Sequence, residues 1–392
     1  MHNRLGRASV ALTAVAAVVA GCGSSSGTST GGTSATTPGA RIAVSLTDEG
    51  CEPSKFTAVA GDITFSVTND VAGTDLKSEF ELLTKEPKIL AEELFAKAEA
   101  RDVQTSLPAG DYELICGAPS NSRSALTVTG DGGQSTTTLK VDAAALQANV
   151  EKYVEYVDGQ MTEMVASNKA LYEAIESGDL ATAQSLYMPA RVQWERIEPI
   201  AELFPDSDAV MDSRVDDFEQ GPTDPKFTGW HRLEYLMFEQ KTLDGAKPFA
   251  ARVVKDIDVL NTSIHGITID AATMINGSAS LIEEAATGKI TGEEERYAGT
   301  SLLTFASNVE GAKEIIDLNA GLLESVDPAL YASIEKSFDA IDAGLAKYAN
   351  PDGTYAQYDT LTAADCAPLQ AELATLSEHL SAVAAAFGLE VR

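Results

Sequence analysis

The stretch Gly229-Trp230-His231-Arg232-Leu233-Glu234-Tyr235 holds the most concentrated chemistry in the chain. Residues three apart leave a helix on one side, so His231 and Glu234 are placed to share an ion. A second pair lies in Trp194-Glu195-Arg196-Ile197-Glu198-Pro199, where Glu195 and Glu198 fall on one helix face. Pro199 has no N–H, which leaves the carbonyl of Glu195 without its helical partner and kinks the helix beside two acids. Asp212, Asp216 and Asp217 follow on the next short helix, and Asp212 joins His231, Glu234, Glu195 and Glu198 as a candidate ligand. Taken singly, each of these acids is more simply a solvated surface group. Carboxylates with one imidazole suit iron, zinc or manganese better than copper(I). The zinc-protease pattern His-Glu-x-x-His is absent, because Arg232 follows His231, and the inverted pattern fails because Tyr235 follows Glu234. With no general base in sight for a metal-bound water, the chain reads as a metal binder and not an enzyme; the alternative readings are a surface interaction protein that binds no metal and, behind it, a metallopeptidase.

A second cluster sits earlier. Cys51 lies in Asp48-Glu49-Gly50-Cys51-Glu52-Pro53, and Cys116 ends Asp111-Tyr112-Glu113-Leu114-Ile115-Cys116. Two readings stay open: a disulfide formed in an oxidising compartment, or a thiolate and carboxylate metal site that adds Glu79, Glu81 or Glu113. Residues 40–140 contain neither His nor Met. A blue-copper centre, built from two His, a Cys and usually a Met, cannot form there. Cys366 is left over and is expected to pack as a small apolar group.

The elements that must position these groups divide the chain. Short β-branched or aromatic runs at Arg41–Thr47, Asp62–Asn69, Asp111–Cys116 and Ser124–Thr129 predict strands, with Ile63, Phe65 and Val67 on one buried face. Ile89–Arg101 is helical in composition and is expected to cross between strands. Together these predict a small β-sandwich over residues 41–130. From residue 142 to 392 the pattern is helical. Asp179, Ser207 and Asp327-Pro328 look like helix starts, and Thr291-Gly-Glu-Glu294 fits a capping box. Leu369, Leu373, Leu376, Leu380, Val383 and Phe387 form one apolar stripe, as an antiparallel bundle requires. The helical length implies two antiparallel four-helix bundles. Of 59 Asp+Glu, 43 lie after residue 140, against 17 of the 28 Lys+Arg. The net charge of −31 excludes a general nucleic-acid binder, which needs a basic footprint, and suits a protein that attracts cations.

Arg4 and Arg7 precede an apolar stretch, Val10 to Ala20, too short to span a membrane as a mature helix. It ends in Val19-Ala20-Gly21-Cys22, which resembles the lipobox of bacterial lipoproteins. Residues 1–21 are then a signal peptide, Cys22 the lipidated first residue, and 22–40 a Gly/Ser/Thr tether. The expectation is an exported protein, held by lipid at the extracytoplasmic face of the cell membrane.

In combination, the Cys-Glu-Pro and Tyr-Glu-x-x-Cys strands, Trp-Glu-x-Ile-Glu-Pro-Ile-Ala-Glu, Gly-Trp-His-Arg-Leu-Glu-Tyr, Lys289-Ile-Thr-Gly-Glu-Glu-Glu-Arg-Tyr297 and Asn308-Val-Glu-Gly311 resemble the EfeO family of iron-uptake components. The resemblance spans residues 41–390. It implies a cupredoxin-like domain joined to an imelysin-like helical domain. It also implies ferrous or ferric iron as the bound metal, with zinc or copper as further ions, and a haem peroxidase and an iron permease as partners. The chain departs from the family at Ala298–Phe305, where a His and two acids of the usual segment are missing. Metal choice or affinity is expected to differ if those positions border the site.

Overall fold

The computed structural model describes residues 33–34, 41–71, 78–84, 89–95, 98–116, 123–130, 138–218, 220–266, 268–292, 294–351 and 353–389. Cys22 and the leader lie outside them.

Among the described residues ten strands come first: β1 (Thr33–Ser34), β2 (Arg41–Thr47), β3 (Gly50–Glu52), β4 (Lys55–Val59), β5 (Gly61–Asn69), β6 (Ser78–Thr84), β7 (Ile89–Phe95), β8 (Ala100–Leu107), β9 (Gly110–Cys116) and β10 (Arg123–Thr129). They form a sheet ordered β1-β4-β10-β9-β6-β7 and a second ordered β3-β2-β5-β8. The parallel pairs are β1/β4, β4/β10 and β2/β5. Alternation does the work the sequence assigned to it: Ile63, Phe65 and Val67 are buried with Ile42, Val44, Phe80, Leu114 and Leu126 in one core. Ile89–Arg101 is not a helix. Ile89–Phe95 pairs with β6, and Ala100 and Arg101 pair with β5. Pairing partners here override helical composition, as strand formation depends on its neighbours more than on propensity.

Among the described residues the next regular element after Thr129 is a helix, capped by Asp142. Among the described residues there are nine α-helices: α1 (Ala143–Ser177), α2 (Leu180–Ile197), α3 (Pro205–Met211), α4 (Gly229–Glu234), α5 (Ala246–Ile264), α6 (Ala271–Thr287), α7 (Ser301–Val326), α8 (Pro328–Leu345) and α9 (Ala363–Phe387). The helices α1, α2, α4 and α5 pack together, α6 to α9 form a second group, and α2 lies against α7 where the groups meet. Asp179 and Asp327 cap α2 and α8 through their side chains, as their sequence positions predict. Ser207 instead lies inside α3, which begins two residues earlier at a proline. The expected capping box at Thr291 also gives way. Lys289–Thr291 is a short 3₁₀ turn closed by Gly292 at φ +79°, and Glu294 enters a turn, not a helix. The six apolar residues of the α9 stripe are all buried. No helix among the described residues is long and apolar enough to cross a membrane.

Candidate metal centre

Four pieces of chain meet at one buried point. The helix α2 presents Arg191 and Glu195 one turn apart, and Glu198 opens the 3₁₀ turn Glu198–Leu203 that follows. Pro199 ends the regular helix as anticipated, and the carbonyl of Glu195 accepts a hydrogen bond from Asn308 Nδ2 at 3.1 Å. Asp212 caps the C-terminus of α3. His231 and Glu234 come from α4, which continues as a π-turn over Tyr235–Glu239. Glu294 and Glu295 come from the turn before α7.

Backbone contact sets the register between two of these pieces. Gly229 opens α4 at φ +77°, and a Cβ there would lie 2.1 Å from the carbonyl oxygen of Met211. Only glycine allows that approach. It brings His231, two residues on, beside Asp212, one residue past Met211. Gly277 and Gly311 likewise let α6 and α7 close on the backbone of Pro199 and Arg196. Trp194 and Trp230 wall the site with ring centroids 6.0 Å apart, and the indole N–H of Trp194 donates to Asp212 Oδ2 at 2.8 Å.

The His231 ring faces two ways. Its Nδ1 lies 3.0 Å from Glu234 Oε2, while the other oxygen of Glu234 accepts the backbone N–H groups of Tyr297 and Ala298 at 2.8 and 2.9 Å. Its Nε2 lies 3.3 Å from Asp212 Oδ1 and 3.7 Å from Glu294 Oε1. Asp212, His231 and Glu294 thus offer one ligand atom each, all within 4.8 Å of one another. Glu234 stands across the ring from that group. The i,i+3 spacing brings His231 and Glu234 into contact, through Nδ1 and Oε2.

Glu195 and Glu198 are close to each other but are occupied differently from the expectation. Arg191 and Lys289 pair with Glu195, Lys289 pairs with Glu198, and Asn308 donates to both acids. Asp216 does not reach the site; it pairs with Arg296 at the surface. Asp217 accepts the backbone N–H of Arg214. The sequence reading missed Arg191, Lys289, Glu294, Glu295 and Asn308. Three consecutive acids in the sequence, Glu293 to Glu295, are the available signal, which the capping-box reading of Thr291 to Glu294 hides.

The electrostatics are unbalanced. Six carboxylates, those of Glu195, Glu198, Asp212, Glu234, Glu294 and Glu295, have side chains no more than 9% exposed. Against them stand Arg191 and Lys289, both buried, and the partly buried Arg214, which pairs with Glu294 at 3.0 Å. Burial works to raise Asp212, but Arg191 and His231 outweigh it and hold its carboxyl well below the usual range. Glu294 is lowered in the same way by Lys289 and Arg214 against its burial. Burial wins at Glu198, which is raised well above the usual range, and at Glu295, pushed up to about 8. His231 is disfavoured as a cation by burial and by Arg191, yet its contacts with Asp212, Glu234 and Glu294 prevail and raise it well above its usual value.

The altered segment at 298–305 borders this site. Ala298 supplies one of the N–H groups on Glu234, Ser301 Oγ accepts the backbone N–H of Glu295 at 3.2 Å, and the Thr304 hydroxyl donates to Glu295.

The other candidate site has a different outcome. Cys51 and Cys116 form a disulfide that joins β3 of one sheet to β9 of the other. Neither offers a thiolate, so the sulfur half of the Cys51, Glu79, Glu81, Glu113 and Cys116 set is gone. Glu113 pairs with Arg123 at 2.8 Å, and Glu81 is buried. The side chain of Glu79 lies outside the described residues. Cys366 is half-buried, with its Sγ 3.3 Å from the Tyr358 hydroxyl.

Comparison with known proteins gives the family. The imelysin family (Peptidase_M75) matches residues 149–383, which include every residue of the candidate centre. The iron uptake system component EfeO of Yersinia pestis is 39% identical over 350 residues, covering 89% of this chain and 92% of its own. The proteins of the same name from Escherichia coli K12 and Shigella flexneri are 36% identical over 354 residues, with the same coverage. The chain belongs to the imelysin family and is an EfeO-like iron-uptake component.

Proposed function

We propose that the protein binds iron as cargo at Asp212, His231 Nε2 and Glu294, and that Glu234 fixes the ring of His231 for that purpose. The convergence of those three buried ligand atoms within 4.8 Å of one another carries the reading. One imidazole nitrogen and carboxylate oxygens form a donor set that iron accepts and copper(I) does not favour. Glu234 accepts a hydrogen bond from Nδ1–H, which leaves the Nε2 lone pair directed at Asp212 and Glu294, the usual carboxylate–histidine arrangement behind a metal. Water or further carboxylate oxygens complete the coordination. An incoming ion must displace a proton from Nε2, so uptake releases protons and weakens at low pH.

In this reading the protein is the extracytoplasmic iron-binding part of its uptake system. Cys22 carries the lipid that holds it at the cell membrane, and the cargo passes to a permease, with a haem peroxidase as a further partner. Iron binding is tested on soluble protein made without a polyhistidine tag, stripped by chelator and equilibrated anaerobically with ferrous iron. Iron should stay with the parent through gel filtration and be lost from His231→Ala. Equal retention by both would overturn the assignment. Mass spectrometry of the membrane fraction should show a lipid-modified N-terminus at Cys22, and an unmodified chain starting elsewhere would refute the anchor.

A further inference from the structure

The centre contains a cation of its own. The Arg191 side chain is fully buried, and its guanidinium touches all three members of the ligand group. Nη1 contacts Asp212 Oδ1 and lies 3.4 Å from His231 Nε2, while Nη2 lies 3.6 Å from Glu294 Oε1. On its other side Nη2 pairs with Glu195, and Nε lies 3.0 Å from Glu295 Oε1. The Trp230 ring lies 5.3 Å from its Cζ.

We propose that Arg191 is a built-in counter-cation that closes the centre in the metal-free state and must leave Asp212 and His231 when the ion enters. The proposal rests on the metal-centre reading above. The guanidinium contacts the same three side chains a metal would bond, and a divalent ion cannot share them with a fixed positive charge in a site where water screens little. Arg191 does not become an orphan when it moves. Glu195, one turn along the same helix, already accepts from Nη2 and remains on the far side, and Glu295 Oε1 lies 3.0 Å from Nε, within reach of its free donor. Because arginine does not lose its proton, this competitor cannot be removed by pH, only by displacement. The ion's affinity is therefore a difference between two cations for one set of ligands. Anything that draws Arg191 back to Asp212 favours release, so the device supplies a route for the cargo to leave as well as to enter.

Manganese(II) is a suitable redox-stable probe for titration calorimetry. In Arg191→Gln the competitor is gone, and Mn²⁺ should bind about tenfold tighter or more, the size of a typical coupling between two bound groups. Arg191→Lys restores a positive charge and should return the affinity toward that of the parent. An Arg191→Gln protein that binds Mn²⁺ equally or more weakly than a parent that does bind would overturn the counter-cation role and leave the metal centre standing. A parent that binds no Mn²⁺ would refute the metal-centre reading and this inference with it. Should the neutral variant not fold, a crystal of the parent soaked in Mn²⁺ decides. The guanidinium is expected to be off Asp212 and His231, and an unmoved guanidinium beside a bound ion would overturn the proposal.

Discussion

Replacing Glu234 separates what holds the centre together from what binds the ion. Its carboxylate is 1% exposed and meets three donors: the Nδ1 side of His231 and the backbone N–H groups of Tyr297 and Ala298. Glu234→Ala leaves those two amides without their acceptor, at about 1–3 kcal/mol for each if water cannot reach it. A loss of about 2–6 kcal/mol follows for the two together, and with it the placing of the 294–300 turn that carries Glu294. Glu234→Gln is the sharper change. Its amide oxygen can still accept from Tyr297 and Ala298, so stability should fall by only about 1 kcal/mol. The amide NH₂ then faces Nδ1, which must accept, and the ring proton moves to Nε2, the atom the ion needs. Losing such a supporting partner costs roughly 10–100-fold in metal affinity. Calorimetric titration with Mn²⁺, alongside urea unfolding followed by circular dichroism, measures both quantities on one sample. Unchanged affinity in Glu234→Gln, with the fold intact, would refute the orienting role and the tautomer argument together.

Three further predictions follow from other parts of the molecule. In chelator, the urea midpoint of the metal-free protein should fall as pH rises from about 5 to 8, because Glu295, pushed up to about 8 from 4.5, holds a proton in the folded state that the unfolded chain has lost. The raised His231 acts in the same direction, since its stabilisation is full below its unfolded value and is lost as pH rises; a midpoint that climbs over this range would contradict the assignment. Gly229→Ala puts a Cβ 2.1 Å from the Met211 carbonyl at a positive φ, so it should destabilise the helical part by more than about 2 kcal/mol and weaken metal binding by spoiling the Asp212–His231 register. Thermal unfolding and titration matching the parent would show that the backbone contact is not required. Replacing Cys51 and Cys116 together with Ala opens a 65-residue link and should destabilise the β-sandwich by about 4 kcal/mol, with metal affinity at the helical centre unchanged. A loss of binding in that variant would place the β-sandwich in the site.

How far the sequence led depended on whether neighbours in the chain were neighbours in space. Strands with strict alternation, such as Asp62–Asn69, and the leucine stripe of α9 were legible because one face of each is buried. Ile89–Phe95 was not, because its partner strand, and not its own composition, decides its conformation. At the centre, His231 with Glu234 and Glu195 with Glu198 were legible as one-turn pairs. The orientation of each side chain was not, since a helical period says that two side chains share a face but not which atom turns which way. Arg191 went unremarked because an arginine one turn before a glutamate is an ordinary surface pair, and only the fold buries it. Glu294 lay in a run read as a helix start, and its place beside Asp212 comes from two loops more than 80 positions apart along the chain.

The most direct measurement is anomalous diffraction from a crystal of the stripped protein soaked anaerobically with ferrous iron, recorded on both sides of the iron absorption edge. The account predicts one strong peak within bonding distance of Asp212, His231 Nε2 and Glu294, with Glu234 on Nδ1 and outside the coordination sphere. A peak bonded to Glu195 and Glu198 instead, or no peak at His231 in a crystal that holds iron elsewhere, would contradict it.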